Sequence, residues 1–464
     1  RIKCAECRSR RFLAVTDEVI RWHLSGVDGK GKSFVIGVYP MLLDETCYFL
    51  AVDFDGETWQ ADAVAYLHTC RRLKVSAALE RSRSGNGGHV WLFFEEAVPA
   101  SLARKLGSHL LTETMDTHLD LGFRSYDRFF PNQDTLPNGG FGNLIALPLQ
   151  HQPRCLGNSV FVDDDFEVIE DQWDYLSGLK RIPSSRVESL VDEASRRGRV
   201  LGVRRVIQDD DTDEPWEALP SRCPRERIDG PLPKRLDIVL GDQIYIPKGS
   251  LTASLRNRLL RLAAFQNPEF YRAQAMRLPT YDKPRVIACG EDLPKHIGLP
   301  RGCLEELRDV LKKLGIKVAV KDERFGGTPL SLSFLGTLRP EQEKAIESLT
   351  AYDTGILSAT TAFGKTVVAA CLIARRGVNT LVLVHRKQLM DQWVERLTQF
   401  LDLPEKESGR LGGGRRTLKG KVDIALLQSV VRKGGGNDCV ADYGQVIVCR
   451  GSTSDAADDS RRGG

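Results

Sequence analysis

The chain has 464 residues, which is long for one domain and suggests about three. Hydrophobic residues make up 41% and charged residues 28%, the balance of a globular protein, and no apolar run approaches the roughly 20 residues of a membrane helix. The net charge of +4 neither requires nor excludes nucleic acid as a partner, because a local basic groove can lie in a nearly neutral chain.

The 11 cysteines are scattered and odd in number, which favours reduced thiols in a cytoplasmic protein over a disulfide framework. Cys4 and Cys7 form a C-x-x-C pair within residues 1–33, which we interpret as a truncated N-terminal segment because the chain starts at Arg1. Such a pair is half of a zinc knuckle. Two unrelated thiols explain it about equally well, since no second pair follows at a matching distance.

Residues 34–183 mix strand and helix patterns and predict an α+β domain with a partly antiparallel sheet. Apolar runs predict strands over 34–43, 48–55, 76–83, 89–96 and 142–150. Helical periodicity predicts helices over 59–75 and 99–115, the second of them opened by proline.

Charge is dense and apolar periodicity weak over residues 184–232, which predicts a flexible linker. Order resumes in residues 233–330, where segments 251–266 and 303–315 are expected to form amphipathic helices. Residues 331–448 then alternate strand and helix patterns, as an α/β lobe does.

The stretch "YFLAVDFDG" ends a buried strand with two acids, Asp53 and Asp55. Side chains alternate along a strand, so both carboxylates are expected on one face, where they repel unless a cation lies between them. Mg²⁺ suits this role, because proteins usually hold it with one or two carboxylates plus substrate phosphates. The alternative, one Asp capping the turn and the other solvated, is about as well supported by this motif alone.

The segment "ERSRSGNGGHVWLFF" predicts two strands around a glycine-rich turn whose backbone N–H groups can converge on an anion such as a triphosphate. A plain glycine-rich hairpin is the alternative, and a Rossmann fingerprint is excluded because a strand follows the turn. The glycines and the added donors are Gly85, Gly87, Gly88, Arg81, Ser82, Arg83, Ser84 and His89.

These motifs in order, a strand ending in D-h-D, a helix, and S-G-x-G-G-H entering a strand, resemble the archaeo-eukaryotic primase-polymerase superfamily. Residues 126–150, "YDRFFPNQDTLPNGGFGNLIALPLQ", resemble its third region. Together they look like the primase domain of TOTE conflict systems, over about residues 34–180. The resemblance implies an RRM-like catalytic core.

The resemblance also implies roles for individual residues. Asp53 and Asp55 would bind the catalytic Mg²⁺ or Mn²⁺, and His89 would act at the nucleotide phosphates as a catalytic residue. A strand histidine packed under the sheet is the alternative for His89. The other donors to the incoming nucleoside triphosphate would be Arg81, Ser84, Gly85 and Gly87.

A third acid usually completes the metal site in this superfamily. Asp134 is our first choice because it stands shortly before "GGFGNLIALP", and Asp127 is its rival. Asn143 is expected to line the nucleotide site or to be a turn residue.

A second motif lies in "GILSATTAFGKTVVAACLIARR", residues 355–376, which predicts strand, loop and helix. Ala359 stands where the Walker A pattern has its first glycine, and the G-K-T part is intact. Gly364 would permit the close turn, Lys365 would reach the β- and γ-phosphates of ATP, and Thr366 would ligate Mg²⁺. The phosphates would lie at the helix N-terminus.

The surrounding motifs resemble a superfamily 2 helicase and imply an incomplete P-loop RecA-like lobe. Gln342 in "FLGTLRPEQEKAI" would read adenine. Arg386 in "TLVLVHRKQLMDQW" would face the nucleic-acid backbone, as would Gln428 and Ser429 in "VDIALLQSV". Residues 233–330 resemble the accessory region before this helicase in TOTE proteins.

Residues 443–448, "YGQVIV", form the strand expected to lead into the Walker B acids. The sequence that follows, 449–464, lacks those acids at the strand end and resembles out-of-frame or truncated sequence. We therefore expect weak ATP binding through Lys365 and Thr366, with hydrolysis and unwinding lost.

Three functions are open at this stage. The first is a metal-dependent primase-polymerase on single-stranded or primed DNA, or on RNA, fused to a helicase ATP-binding domain, with a nuclease partner by family resemblance. The second is a DNA-dependent helicase or translocase subunit of a restriction-like conflict system whose N-terminal domain only binds nucleic acid. The third is an inactive fragment that binds DNA and ATP.

Overall fold

The computed structural model describes residues 15–118, 121–138, 140–203, 228, 230–360, 362–430 and 438–449. Contacts divide the chain into two units: Arg1–Ile238 with Ile244–Ala319, and Val239–Gln243 with Val320–Gly464. Cys4 and Cys7 lie outside the described residues, as do positions 450–464 of the tail. Among the described residues, no helix is long and apolar enough to span a membrane.

The strands before residue 323 are short except for two long central ones. They are β1 (Gly37–Val38), β2 (Thr46–Asp55), β3 (Ala78–Arg81), β4 (Gly87–Pro99), β5 (Phe129–Phe130), β6 (Ile145–Ala146), β7 (Val160–Val162), β8 (Arg235–Leu240), β9 (Gln243–Pro247), β10 (Ala264–Gln266), β11 (Val286–Ala288), β12 (Glu291–Asp292), β13 (His296–Pro300) and β14 (Lys317–Asp322).

The α-helices of the same part are α1 (Asp17–Ser25), α2 (Trp59–Arg72), α3 (Ala100–Met115), α4 (His151–Cys155), α5 (Gln172–Gly178), α6 (Ser184–Arg196), α7 (Ala253–Leu262), α8 (Pro268–Ala275) and α9 (Leu304–Lys313). A 3₁₀ turn covers Phe123–Asp127 and leads directly into β5.

The first unit is organised around a five-stranded antiparallel sheet of order β5-β2-β4-β3-β7. Leu50, Val52 and Phe54 of β2 point to one face, where they join a buried core with residues of α2, α3 and α6. The intervening residues of β2 point to the other face, where Ala51 packs with Trp91. Asp53 and Asp55 are therefore on the face opposite the helices.

The segment after the sheet differs from the expectation of a linker starting at residue 184. Helix α6 occupies its first thirteen residues and buries Val187, Leu190, Val191 and Ala194. This i, i+3, i+4, i+7 spacing is the signature of an amphipathic helix, and the dense charge around it hid the pattern. The sequence also predicts the accessory region, residues 233–330, as a part of its own. In the structure, residues 244–319 belong to the first unit. The strands of the accessory region form a sheet of order β12-β13-β9-β8-β14 and a β10-β11 pair.

The second unit contains α10 (Pro340–Thr350), α11 (Lys365–Arg376), α12 (Lys387–Phe400), α13 (Leu427–Val430), β15 (Thr380–Val384), β16 (Gly409–Gly412), β17 (Arg415–Thr417), β18 (Val422–Leu426) and β19 (Gln445–Cys449).

Its sheet has the order β17-β16-β18-β15-β19, and β15 pairs in parallel with both β18 and β19. Side chains of α11 and α12 pack on this sheet and form its core. The strand expected at the start of the 355–376 motif is absent from the described sheet, and Ile356 is 95% exposed. The observed architecture is thus an α+β unit followed by an α/β unit with a mainly parallel sheet.

Candidate functional site

Four polar residues lie in one row across the first sheet. Strand pairing places His89 opposite Asp53 on one side and opposite Glu80 on the other. The β2–β5 pairing continues to Arg128, whose carbonyl oxygen accepts a hydrogen bond from the Asp53 amide at 2.9 Å. Register partners point to the same face of a sheet, so Arg128, Asp53, His89 and Glu80 share the face opposite the helices.

Arg128 lies between the two acids of the predicted metal site. Its Nη1 is 2.6 Å from Asp55 Oδ2 and 3.3 Å from Asp53 Oδ2. The guanidinium offsets the repulsion that two carboxylates on one face would otherwise suffer. The side chains of Asp53, Asp55 and Arg128 are 24%, 53% and 44% exposed, so the pair is open to solvent on one side.

The geometry fits a divalent cation held by two carboxylates. Both carboxylates already converge on a single cationic nitrogen, which is the arrangement that a shared metal ion requires. The described residues contain no group of three or more His, Cys, Asp or Glu side chains that could hold a metal. Water and substrate phosphates would therefore supply the other ligands of an ion held by Asp53 and Asp55.

The surroundings of Asp53 shift its pKa. Burial raises its pKa, the nearby His89 lowers it, the like charge of Asp55 raises it and Arg128 lowers it, with a net increase over the ordinary value. A carboxyl in a sheet-face site with opposing charges around it is a functional candidate on physical grounds.

Glu80 contacts the ring nitrogen of His89 that does not face Asp53. His89 Nδ1 is 3.0 Å from Glu80 Oε2, and His89 Nε2 is 3.7 Å from Asp53 Oδ1. Glu80 is buried and also accepts hydrogen bonds from Trp91 Nε1 at 2.9 Å and from the Ser159 hydroxyl at 3.4 Å. Burial lowers the pKa of His89, but the hydrogen bond and charge of Glu80 together with the charge of Asp53 outweigh it, so the net pKa is raised. The hydrogen bond to Glu80 also orients the imidazole.

Gly85 in the turn between β3 and β4, and Gly87 and Gly88 at the start of β4, leave little room for a side chain. Gly85 has φ +78°, and a Cβ there would lie 2.8 Å from Asn158 Oδ1. A Cβ on Gly87 would lie 2.8 Å from the Phe54 carbonyl oxygen, and one on Gly88 would be 2.7 Å from an aromatic carbon. Backbone conformation and tight strand packing therefore account for glycine at these positions. A role of the turn in binding phosphate stays a prediction.

Arg81 and Ser84 were expected to donate to the nucleotide. The Arg81 guanidinium instead donates to the carbonyl oxygens of Gly157, at 2.9 Å, and Phe166, so it is committed to the segment after α4. The Ser84 hydroxyl is exposed, accepts from the Asn86 amide at 3.2 Å and stays accessible to a ligand.

The structure does not support Asp134 as the third metal ligand. Its carboxylate accepts from Arg104 Nε at 2.7 Å and from Gln274 Nε2 at 2.8 Å. The Arg104 side chain is only 5% exposed and needs a counter-charge. Burial raises the pKa of Asp134, but Arg104 outweighs it and the net pKa is lowered. Asp134 is therefore the partner of a buried arginine.

Asp127, the rival, is also engaged elsewhere. Its carboxylate accepts from the Arg285 backbone amide at 2.9 Å, and burial raises its pKa.

Asn143 donates from Nδ2 to the Phe129 carbonyl at 2.9 Å and accepts from the Asn132 amide at 3.2 Å. These hydrogen bonds connect Asn143 to the segment after Arg128. Of its two predicted roles, they favour that of a turn residue.

In the second unit, the described residues of the predicted P-loop lead into the N-terminus of α11. Gly364 has φ +85° at the position before the helix, and Lys365 Nζ donates to the Ala359 carbonyl at 2.7 Å. Thr366 follows in the first helical turn. Ala362 also has a positive φ, +67°, where a side chain with a Cβ is strained.

Gln342 has structural partners. Its Oε1 accepts from the Arg339 amide at 2.9 Å, and its Nε2 donates to the Phe363 carbonyl at 2.7 Å. The side chain is buried, so both ends of the amide serve the start of α10 and the P-loop. A contact of Gln342 with adenine stays a prediction.

The expected nucleic-acid contacts Arg386, Gln428 and Ser429 lie at one edge of the second sheet. They follow the carboxyl ends of β15 and β18, which are parallel neighbours. Gln428 Nε2 donates to the His385 carbonyl at 2.9 Å, and Arg386 is exposed. The carboxyl edge of a parallel sheet is where such folds bind ligands.

Sequence analysis missed Arg128 and Glu80 as site residues. Both lie inside the segments that carry the motifs, but only the register of β5 and β3 against their neighbours places them beside Asp53 and His89. A sequence signal did exist for Glu80, because the short turn makes β3 and β4 a hairpin that pairs these positions.

Two family models match the chain. Residues 1–190 match "TOTE conflict system, Archaeo-Eukaryotic Primase domain", and residues 335–449 match "Type III restriction enzyme, res subunit".

Curated relatives include the DNA 3'-5' helicase XPB of Mycobacterium tuberculosis, 31% identical over 133 residues that cover 27% of this chain and 24% of that one. The DNA 3'-5' translocase XPB2 of Sulfurisphaera tokodaii is 36% identical over 95 residues, covering 20% of this chain and 21% of that one. The matches thus span about a quarter or less of these relatives. Among solved structures, the UvsW helicase of bacteriophage T4 matches with a TM-score of 0.34 and 15% identity, over 46% of this chain and 82% of that one.

Proposed function

We propose that the first unit is a metal-dependent nucleotidyl transferase acting on nucleic acid, because residues 1–190 match the TOTE conflict system primase domain and residues 335–449 match a type III restriction enzyme res subunit. The observation that carries the proposal is the convergence of Asp53 and Asp55 on one cationic group beside an oriented His89. The reaction would be attack of a 3′-hydroxyl on the α-phosphate of a nucleoside triphosphate, with release of pyrophosphate.

In this proposal Asp53 and Asp55 hold Mg²⁺ or Mn²⁺, which when bound supplies positive charge to the triphosphate and the attacking oxygen. His89, whose pKa is raised by Glu80, donates a hydrogen bond from Nε2 to a phosphate oxygen when it is protonated, and Glu80 fixes the ring's orientation. Ser84 adds a hydroxyl donor from the exposed turn. Positioning and charge stabilisation account for most of the catalysis, as is usual in phosphoryl transfer.

Primer extension tests this function. The full chain is incubated with Mn²⁺, a labelled primer on a single-stranded template, and deoxynucleotides or ribonucleotides. Asp53→Asn combined with Asp55→Asn is expected to remove incorporation, by at least a hundredfold. Asp192→Asn, an exposed acid on α6, serves as the control and is expected to leave it unchanged. Undiminished incorporation by the double variant would refute the assignment.

For the second unit we propose ATP binding at the P-loop and contact with nucleic acid at the edge marked by Arg386, Gln428 and Ser429. Support comes from the turn at Gly364 and from the position of Lys365 at the start of α11. Fluorescent ATP-analogue binding that is lost in Lys365→Ala, but kept in the exposed control Lys344→Ala, would support this proposal. Equal binding by both variants would contradict it.

A further inference from the structure

Arg128 is held at the acid pair by its backbone rather than by its side chain alone. Its carbonyl oxygen accepts from the Asp53 amide at 2.9 Å, and its own amide donates to the Ser125 carbonyl at 3.2 Å. The Cα is therefore fixed at the edge of the sheet beside Asp53. The side chain is 44% exposed, so the guanidinium is free to withdraw into solvent while its backbone stays in place.

The guanidinium and a shared metal ion require the same space. Arg128 Nη1 contacts the Oδ2 atoms of both carboxylates, at 2.6 Å from Asp55 and 3.3 Å from Asp53. A Mg²⁺ ion held by both carboxylates would bind their oxygens at about 2.0–2.1 Å, and it would compete with Arg128 for those oxygens. The two cations would repel each other there, so a divalent ion that binds both acids would compete with the Arg128 guanidinium for them.

We propose that Arg128 is the built-in counter-ion of the acid pair, which a divalent cation must displace in order to bind. This inference rests on the proposed metal site. Before binding, Arg128 keeps the repelling carboxylates together, and this lowers the affinity of the site for the metal. After displacement the guanidinium remains beside the site, where its planar fork suits a phosphate group.

The competition is tested by measuring Mn²⁺ binding to the full chain by calorimetry at low ionic strength. Arg128→Gln is expected to bind Mn²⁺ about tenfold more tightly than the unchanged protein, because the competing charge is gone. Arg124→Gln is the matched control: it removes the same charge from an exposed position four residues earlier, in the 3₁₀ turn, and is expected to leave Mn²⁺ affinity unchanged. Arg128→Lys keeps the charge and is expected to stay near the unchanged protein.

The outcomes separate this inference from the proposed function. If Arg128→Gln binds Mn²⁺ equally or more weakly, while Asp53→Asn with Asp55→Asn removes binding, the inference is overturned and the metal site stands. Mn²⁺ binding that is indifferent to the two acids overturns both. Because loss of Arg128 removes the positive charge between the two carboxylates, thermal unfolding is measured as well. The inference predicts that Mn²⁺ raises the Tm of Arg128→Gln more than that of the unchanged protein, and an equal increase contradicts it.

Discussion

Asp134 gives the clearest contrast between a metal ligand and the partner of a buried arginine. Replacing it with alanine leaves Arg104, whose side chain is 5% exposed, without its counter-charge. Breaking one side of a buried ion pair costs about 3–5 kcal/mol. That is a large part of the roughly 5–15 kcal/mol that usually stabilises a domain. Nearby Arg285 increases the cost, since it is buried and positive and burial lowers its pKa to about 9.

The assay is hydrogen–deuterium exchange with mass spectrometry over a urea series, which follows peptides of α3 separately from those of the second unit. We expect Asp134→Ala to lower the free energy of unfolding of the first unit by about 3–5 kcal/mol. Arg104→Met combined with Asp134→Leu should recover most of this loss, because an apolar pair of similar volume replaces the ion pair. Mn²⁺ affinity measured without urea should not change. Unchanged stability with lost Mn²⁺ binding would refute the assignment of Asp134 to the arginine and restore it to the metal site.

Three further predictions concern the histidine and the P-loop. Glu80→Gln should lower the pKa of His89 in an NMR titration. Because the pKa of His89 is raised in the folded state, the stabilisation that Glu80 gives through His89 is full below about pH 6.5 and is lost as pH rises through the folded value. A stability difference between the two proteins that does not depend on pH would contradict this. Ala362→Gly should raise the free energy of unfolding of the second unit by about 0.5–1 kcal/mol in urea. The variant relieves roughly 1–2 kcal/mol of strain in the left-handed conformation but adds the entropy cost of glycine. A lower free energy of unfolding would contradict it. Lys365→Ala should weaken ATP-analogue binding at least tenfold and leave primer extension unchanged, so a parallel loss of both would refute two independent sites.

The order of motifs made the two-part organisation predictable, and the family models confirm it. Strand alternation also placed Asp53 and Asp55 on one face, which needs only the local period of two. The helix α6 was predictable in principle, since Val187, Leu190 and Val191 have helical spacing within a charged segment.

Other features depend on contacts between distant parts of the chain. Arg128 reaches the acids because β5 pairs with β2, which lies some seventy residues earlier. The prediction for Asp134 did not take its partners into account, because nothing local shows that Arg104 is buried or that Gln274, from the accessory segment, completes the cluster. Strand pairing and burial of charge are tertiary properties, and short motifs carry little information about them.

The most direct test of the proposed active site is a crystal structure of the full chain soaked with Mn²⁺ and a non-hydrolysable nucleoside triphosphate. Anomalous scattering locates the metal independently of any model of the protein. We predict a peak within ligand distance of both Asp53 and Asp55, with the Arg128 guanidinium withdrawn and His89 Nε2 at a phosphate oxygen. Nucleotide and metal bound elsewhere, with Arg128 still between the two acids, would contradict the account.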